Sequence, residues 1–232
     1  MQQMPPVTTK IASESRLSLA ELRAIASDAT ENLPEGQALD RLSVALVTLG
    51  VCVSVTTLDR TAIEDAMDDA LAAGATILQI QEVVALASGL GVHSLMVSAV
   101  SLLYRAQVLG ESCAVAPLDD TRRELWQRHV GDEPFWAGFE RELPGFLEAL
   151  LRLSPEGFVA FFDYCAVPWK SGTVRARTKE LIALACDATP NHRFLPGFRL
   201  HMNNAIALGV GRMALLQTLD IAGNAPPHEG TR

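Results

Sequence analysis

The stretch RTKELIALACDATPNHRFLPGFRLHMNNAIALG, from Arg177 to Gly209, sets one glutamate, two histidines and a high share of arginine among apolar positions. Glu180 is surrounded by Leu181, Ile182, Leu184 and Ala185, where an ionised carboxylate is costly unless paired. His201 lies on the following antiparallel helix, in phase with Ala205 and Leu208, and can present an imidazole to that carboxylate. A carboxylate that fixes a histidine tautomer is the ordinary way to build a general acid or base near neutral pH. Glu180 and His201 are therefore the candidate catalytic pair. The same residues also fit a plainer arrangement, with Glu180 bonded to Arg177 or Lys179 at the surface and His201 a satisfied core histidine.

Around this pair, Lys170, Arg175, Arg177, Lys179, Arg193 and Arg199 stand against only Glu180 and Asp187. Residues 40–73 show the reverse balance, with Arg41 and Arg60 against six carboxylates. A local positive field in an acidic chain suits a small anionic substrate, although two oppositely charged segments that simply attract each other would look alike. Arg199 is the candidate carboxylate anchor. His192, in a loop before Arg193, is a candidate anion contact or else a solvated loop histidine. Asn204, three residues after His201 and nearly on its face, is a polar candidate on a helix that disfavours asparagine. Trp169 and Lys170 follow Pro168 and either cover a pocket or form a packed indole beside a solvated ammonium.

The elements that must position these residues read as helices throughout. Ser18 with Glu21 three residues later is a capping-box pattern, followed by Leu19, Leu22, Ile25 and Ala26 at helical spacing. Helices are predicted over residues 37–55, 59–73, 76–89, 92–109, 119–130, 143–153, 155–166, 173–188, 195–208 and 211–222, with 112–117 a connector and Pro168 a break. No segment argues for a sheet, so the class is all-α.

The second half echoes the first. Aligning Gly74 with Gly209, 135 residues apart (209 − 74), brings Ala70 onto Ala205, Ala87 onto Ala222 and His93 onto His228. Such a period is too long for a solenoid unit and reads as duplication of a small domain. His201 falls opposite Ala66 and Arg199 opposite Glu64, so the chemistry belongs to the second copy. The paired His93 and His228 suggest a shared structural role.

A chain of 232 residues with 49% hydrophobic content can bury a substantial core. A formal charge of −8 with no basic run argues against nucleic-acid binding. Four cysteines without a CxxC pair, and no basic-then-apolar N-terminus, point to reduced thiols in the cytoplasm. Apolar runs such as 44–55 are too short for a membrane span of about 20 helical residues, so no membrane association is expected.

VPWKSGTVRARTKELIALACDA followed by GFRLHMNNAIALGV resembles the carboxymuconolactone decarboxylase family, which includes the alkylhydroperoxidase D-like proteins. The resemblance is good over residues 164–223 and weaker over 42–94. It implies two tandem diverged helical-bundle domains: a disordered tail at 1–15, a degenerate repeat at 16–110, a helical linker at 111–162 and a site-bearing repeat at 163–232. It also implies a homo-oligomer, trimeric or hexameric. The family's peroxidase branch carries CxxCxxxH, and the matching positions here are Phe194, Gly197 and His201, so both redox cysteines are missing. The decarboxylase branch keeps a glutamate and an RLH triplet, matched by Glu180, Arg199 and His201. The implied activity is acid–base decarboxylation or proton transfer on a small carboxylated lactone, with no metal and no organic cofactor. A non-catalytic structural or regulatory subunit with a vestigial site is the alternative, and thiol peroxidase action through Cys52 or Cys186 a remoter one.

Overall fold

Ser18 accepts the Glu21 N–H at 3.2 Å while the Glu21 carboxylate takes the Ser18 N–H at 2.6 Å, so the expected capping box opens the first helix. The structure, a computed structural model, describes residues 17–230; the expected tail at 1–15 lies outside them. The helices are α1 (Leu19–Ala29), α2 (Arg41–Val53), α3 (Arg60–Ala72), α4 (Ile77–Gly89), α5 (His93–Leu109), α6 (Ser112–Val115), α7 (Asp120–His129), α8 (Pro134–Glu142), α9 (Phe146–Leu153), α10 (Pro155–Lys170), α11 (Ala176–Ala188), α12 (Leu195–Ala207) and α13 (Arg212–Gly223). No strand occurs among the described residues, and the fold is all-α.

Two elements depart from expectation. Residues 134–142 form α8, which the sequence did not announce, and the connector at 112–117 contains the single turn α6. Pro168 does not break the chain: it lies inside α10, two residues before its end. A proline so near a C-terminus forfeits only one backbone bond, and the helix stops before the loss accumulates.

The helix bounds repeat at the 135-residue offset. Those of α2 and α3 shifted by 135 give those of α11 and α12 (176 − 41, 195 − 60), and α4 and α13 begin 135 apart (212 − 77). Gly74 and Gly209, at φ +94° and +81°, end α3 and α12 in the left-handed region that glycine tolerates best. Two tertiary hydrogen bonds are exchanged across the same offset. Glu82 of α4 accepts the Val174 N–H at 3.2 Å, and Gln217 of α13 accepts the Leu39 N–H at 2.8 Å. Each triplet thereby ties down the chain entering the first helix of the other.

The cores do not follow the boundaries expected from sequence. Both triplets, with α1, bury their apolar faces in one cluster centred on α2 and α11, which cross closely enough that a Cβ on Gly50 would overlap Ile182. A second cluster is built by α5 to α10, so residues 111–162, expected as a linker, form a core of their own with α5. Helix α11 is buried from Thr178 to Ala188, which puts Lys179, Glu180 and Asp187 inside the protein. Lys179 pairs with Glu82, which also accepts Ser171 Oγ at 2.6 Å and Thr173 Oγ1. The ammonium further donates to the carbonyls of Pro168 at 2.6 Å and Ser171 at 2.7 Å. A charge so enclosed is tolerable because a carboxylate and two carbonyls surround it.

Helices α4 and α5 run on through a 3-10 turn at Leu90–Val92, and this stretch, Ile77–Leu109, is long and apolar enough by composition to cross a membrane, with mean hydropathy 1.8 over its most apolar 18-residue window. Part of it is core: 39% of its most apolar window is buried. Val97, Leu102, Val108 and Leu109 remain exposed along α5.

Candidate active site

The seam between the two cores holds a cavity of about 410 Å³. Helix α11 brings Glu180 to it from one side and α12 brings His201 and Asn204 from the other. His201 Nδ1 lies 2.7 Å from Glu180 Oε2, and Asn204 Nδ2 donates to Glu180 Oε1 at 3.2 Å. Both carboxylate oxygens are thus engaged. With Nδ1 turned to the glutamate, the opposite ring nitrogen, Nε2, makes no hydrogen bond among the described residues and is not sealed in, and His201 lines the cavity. Burial alone would lower the His201 pKa. The hydrogen bond to Glu180 and the charges of Asp187 and Glu180 outweigh it, so the imidazole is held above its usual 6.5.

The plainer arrangement of Glu180 with Arg177 or Lys179 is not the one adopted, since Lys179 belongs to Glu82 and Glu180 to His201. The remaining expected residues divide. Trp169 lines the cavity, and its indole lies under the Lys179 ammonium, 5.8 Å from the ring centre. Arg199 and Lys170 are exposed and do not line it. Arg199 precedes His201 by two residues, about 200° around a helix, so the two side chains cannot share a face. The expected positive field is likewise absent from the wall: among the described residues no lysine or arginine lines the cavity. Arg193 reaches back to the Leu17 carbonyl at 2.8 Å instead.

His192 is neither free in solvent nor a cavity residue. Its Nε2 meets His93 Nδ1 at 2.7 Å. His93 does line the cavity, stacked on Phe194 with ring centres 4.1 Å apart, and burial first of all pushes its pKa down to about 4, leaving the ring neutral. The expected kinship of His93 with His228 fails, because His228 is exposed. After α4 the chain continues as a helix into the second core, whereas no helix follows α13 among the described residues.

Aromatic and aliphatic side chains from α8 and α10, among them Phe135, Trp136, Phe139 and Phe161, complete the wall. Sequence reasoning did not find the cavity role of Trp136 and Phe135. Nor did it single out Cys165, which lines the cavity with its thiol pushed up by burial to about 11.

No protein-family model matches the chain, and no curated protein does. Among solved structures, one from Burkholderia xenovorans LB400, provisionally assigned as a gamma-carboxymuconolactone decarboxylase subunit, is 28% identical over 88% of this chain and 76% of its own, with a TM-score of 0.67. In sequence and fold the chain resembles that carboxymuconolactone decarboxylase-type structure. Given that resemblance, the identity of two wall residues is informative: Phe194 and Gly197, which stand at the positions matching the redox cysteines of the peroxidase branch, both line the cavity. An aromatic face and a bare backbone occupy the place of the thiols. Cys52 and Cys186 are both buried, and burial raises the Cys52 thiol to about 11 and the Cys186 thiol further, so neither supplies thiolate near neutrality.

Proposed function

We propose that this carboxymuconolactone decarboxylase-like protein is an acid–base enzyme, a carboxy-lyase or a related proton-transfer enzyme, acting on a small and largely apolar unsaturated acid such as a carboxylated lactone. One observation carries the reading: the 2.7 Å contact of His201 Nδ1 with Glu180 Oε2 at the wall of an apolar cavity, which leaves Nε2 as the ring nitrogen not bound to the glutamate. In decarboxylation the bond from carbon to carboxylate breaks, carbon dioxide leaves, and the electron pair enters an extended enolate. The enolate carbon then takes the proton from His201 Nε2, and water restores it. Glu180 keeps the ring oriented and stabilises its charged form, and Asn204 holds the other carboxylate oxygen.

The anchor role expected of Arg199 has no support in its exposed position. With no lysine or arginine in the wall among the described residues, the imidazolium is the positive charge they offer a substrate carboxylate, so the substrate should carry its charge next to the reacting carbon. The test is carbon dioxide release from a panel of carboxylated lactones and unsaturated or 2-keto acids, with the native protein and the His201→Ala variant. Turnover by the native protein that the variant loses at unchanged helicity supports the assignment. Equal turnover by both removes it.

The absence of lysine and arginine from the cavity wall favours one second reading, a non-catalytic subunit with a vestigial site. Calorimetric binding of a panel acid without any turnover would select it. Raised and buried thiols at Cys52 and Cys186 give no support to peroxidase action. The exposed apolar stripe of α5 supports a homo-oligomer, which light scattering would read as a multiple of 25.0 kDa.

A further inference from the structure

Where α5 begins, α11 ends and the loop between α11 and α12 turns, three side chains converge without a satisfactory arrangement among themselves. His93 Nδ1 and His192 Nε2 are 2.7 Å apart, and they lie 3.3 Å and 3.4 Å from Asp187 Oδ1. Asp187 is completely buried, yet neither of its carboxylate oxygens receives a hydrogen bond, since both imidazoles meet it in distance but not in angle. A proton shared by the two ring nitrogens leaves the carboxylate with none. An enclosed, unanswered carboxylate is among the costliest things a protein can hold.

We infer that His93 Nδ1, His192 Nε2 and Asp187 Oδ1 are three ligands of one divalent first-row transition-metal ion. The ion would replace the shared proton and answer all three atoms together. Metal bonds of about 2.1 Å place neighbouring donors about 3.0 Å apart at a right angle and about 3.4 Å apart at a tetrahedral one, so the two distances to Asp187 suit an ion as they stand, and the 2.7 Å between the imidazoles would open by about 0.3 Å on binding. The circle through the three atoms has a radius of about 1.8 Å, so an ion about 2.1 Å from each sits about 1 Å off their plane, on one face. Two imidazoles and one carboxylate are a donor set for zinc, iron(II), cobalt or manganese, and three ligands leave positions open to water or a substrate oxygen. The sequence suggested no metal, because His93 stands 94 residues before Asp187 (187 − 93) and no short spacing links them.

The site adjoins the cavity already described. His93 lines it, and Gly197, also in the wall, has no side chain between the cavity and Asp187. The inference nonetheless stands apart from the acid–base reading, because it is tested by binding alone. The full-length protein is stripped with a chelator, and cobalt(II) is added while ligand-field absorption is recorded; zinc binding is measured in parallel by calorimetry. The expected result is one equivalent per chain with a raised melting temperature. His192→Ala and Asp187→Asn should each weaken binding at least 100-fold, while His228→Ala, at an exposed histidine, should not. Should Asp187→Asn fail to fold, His192→Ala at the more accessible ligand decides alone. Absence of stoichiometric binding, or binding that survives His192→Ala unweakened, overturns the site.

Discussion

Asp187 occupies the space that a side chain on Gly197 would need. A Cβ there would overlap the Asp187 carboxylate, lying 3.1 Å from its Cγ, and would come within 2.9 Å of the Phe194 ring. Asp187 cannot retreat, being buried on the most enclosed helix of the protein. Gly197→Ala is therefore expected to destabilise the fold by about 1–3 kcal/mol through overpacking, seen as a lower denaturant midpoint at unchanged slope. A variant as stable as the native protein would mean that Asp187 has room to move.

The His201–Glu180 pair fixes the sign of a pH effect. The folded pKa of His201 is raised above 6.5, so its stabilising contribution is complete below about that pH and is lost as pH rises through the folded value. Melting temperature should fall across that window in the native protein and stay flatter in Glu180→Gln, where the hydrogen-bonded charge is gone. Turnover should decline over the same range, as the proton donor is lost, and differential scanning calorimetry beside a rate profile checks both.

Removing one partner of the buried Lys179–Glu82 pair leaves the other charge stranded. Glu82→Ala also strips the Val174 N–H and the Ser171 hydroxyl of their acceptor. It should cost about 3–5 kcal/mol in chemical denaturation. Glu82→Gln, the residue type found at the corresponding position 217, should recover part of the loss by keeping the acceptor for Val174.

Arg199 and Asn204 offer a contrast on one helix. Asn204 holds the second oxygen of Glu180, so Asn204→Ala should lower the catalytic rate about tenfold by loosening the acid–base pair, with little change in stability. Arg199→Ala, at an exposed position away from the cavity, should leave the rate within about twofold. Steady-state kinetics on the best substrate of the panel separates the two, and a large loss in Arg199→Ala would return that guanidinium to the site.

What the chain sequence determined by itself was local and near-neighbour. The Ser18–Glu21 cap, the glycine-ended helices, the offset between Gly74 and Gly209, and the facing of Glu180 to His201 across one antiparallel turn all depend on residues a few positions or one hairpin apart, where helical periodicity carries direction. Helical phase also held the information that Arg199 and His201 diverge, although charge suggested otherwise. Only the tertiary structure decided which distant groups meet. His93 reaches His192 and Asp187, Lys179 chooses Glu82 over Glu180, and α8 with α10 closes an apolar wall over the pair. These outcomes are set by how whole helices dock, and docking satisfies burial and hydrogen bonding summed over many side chains, a balance to which no single spacing in a sequence gives access.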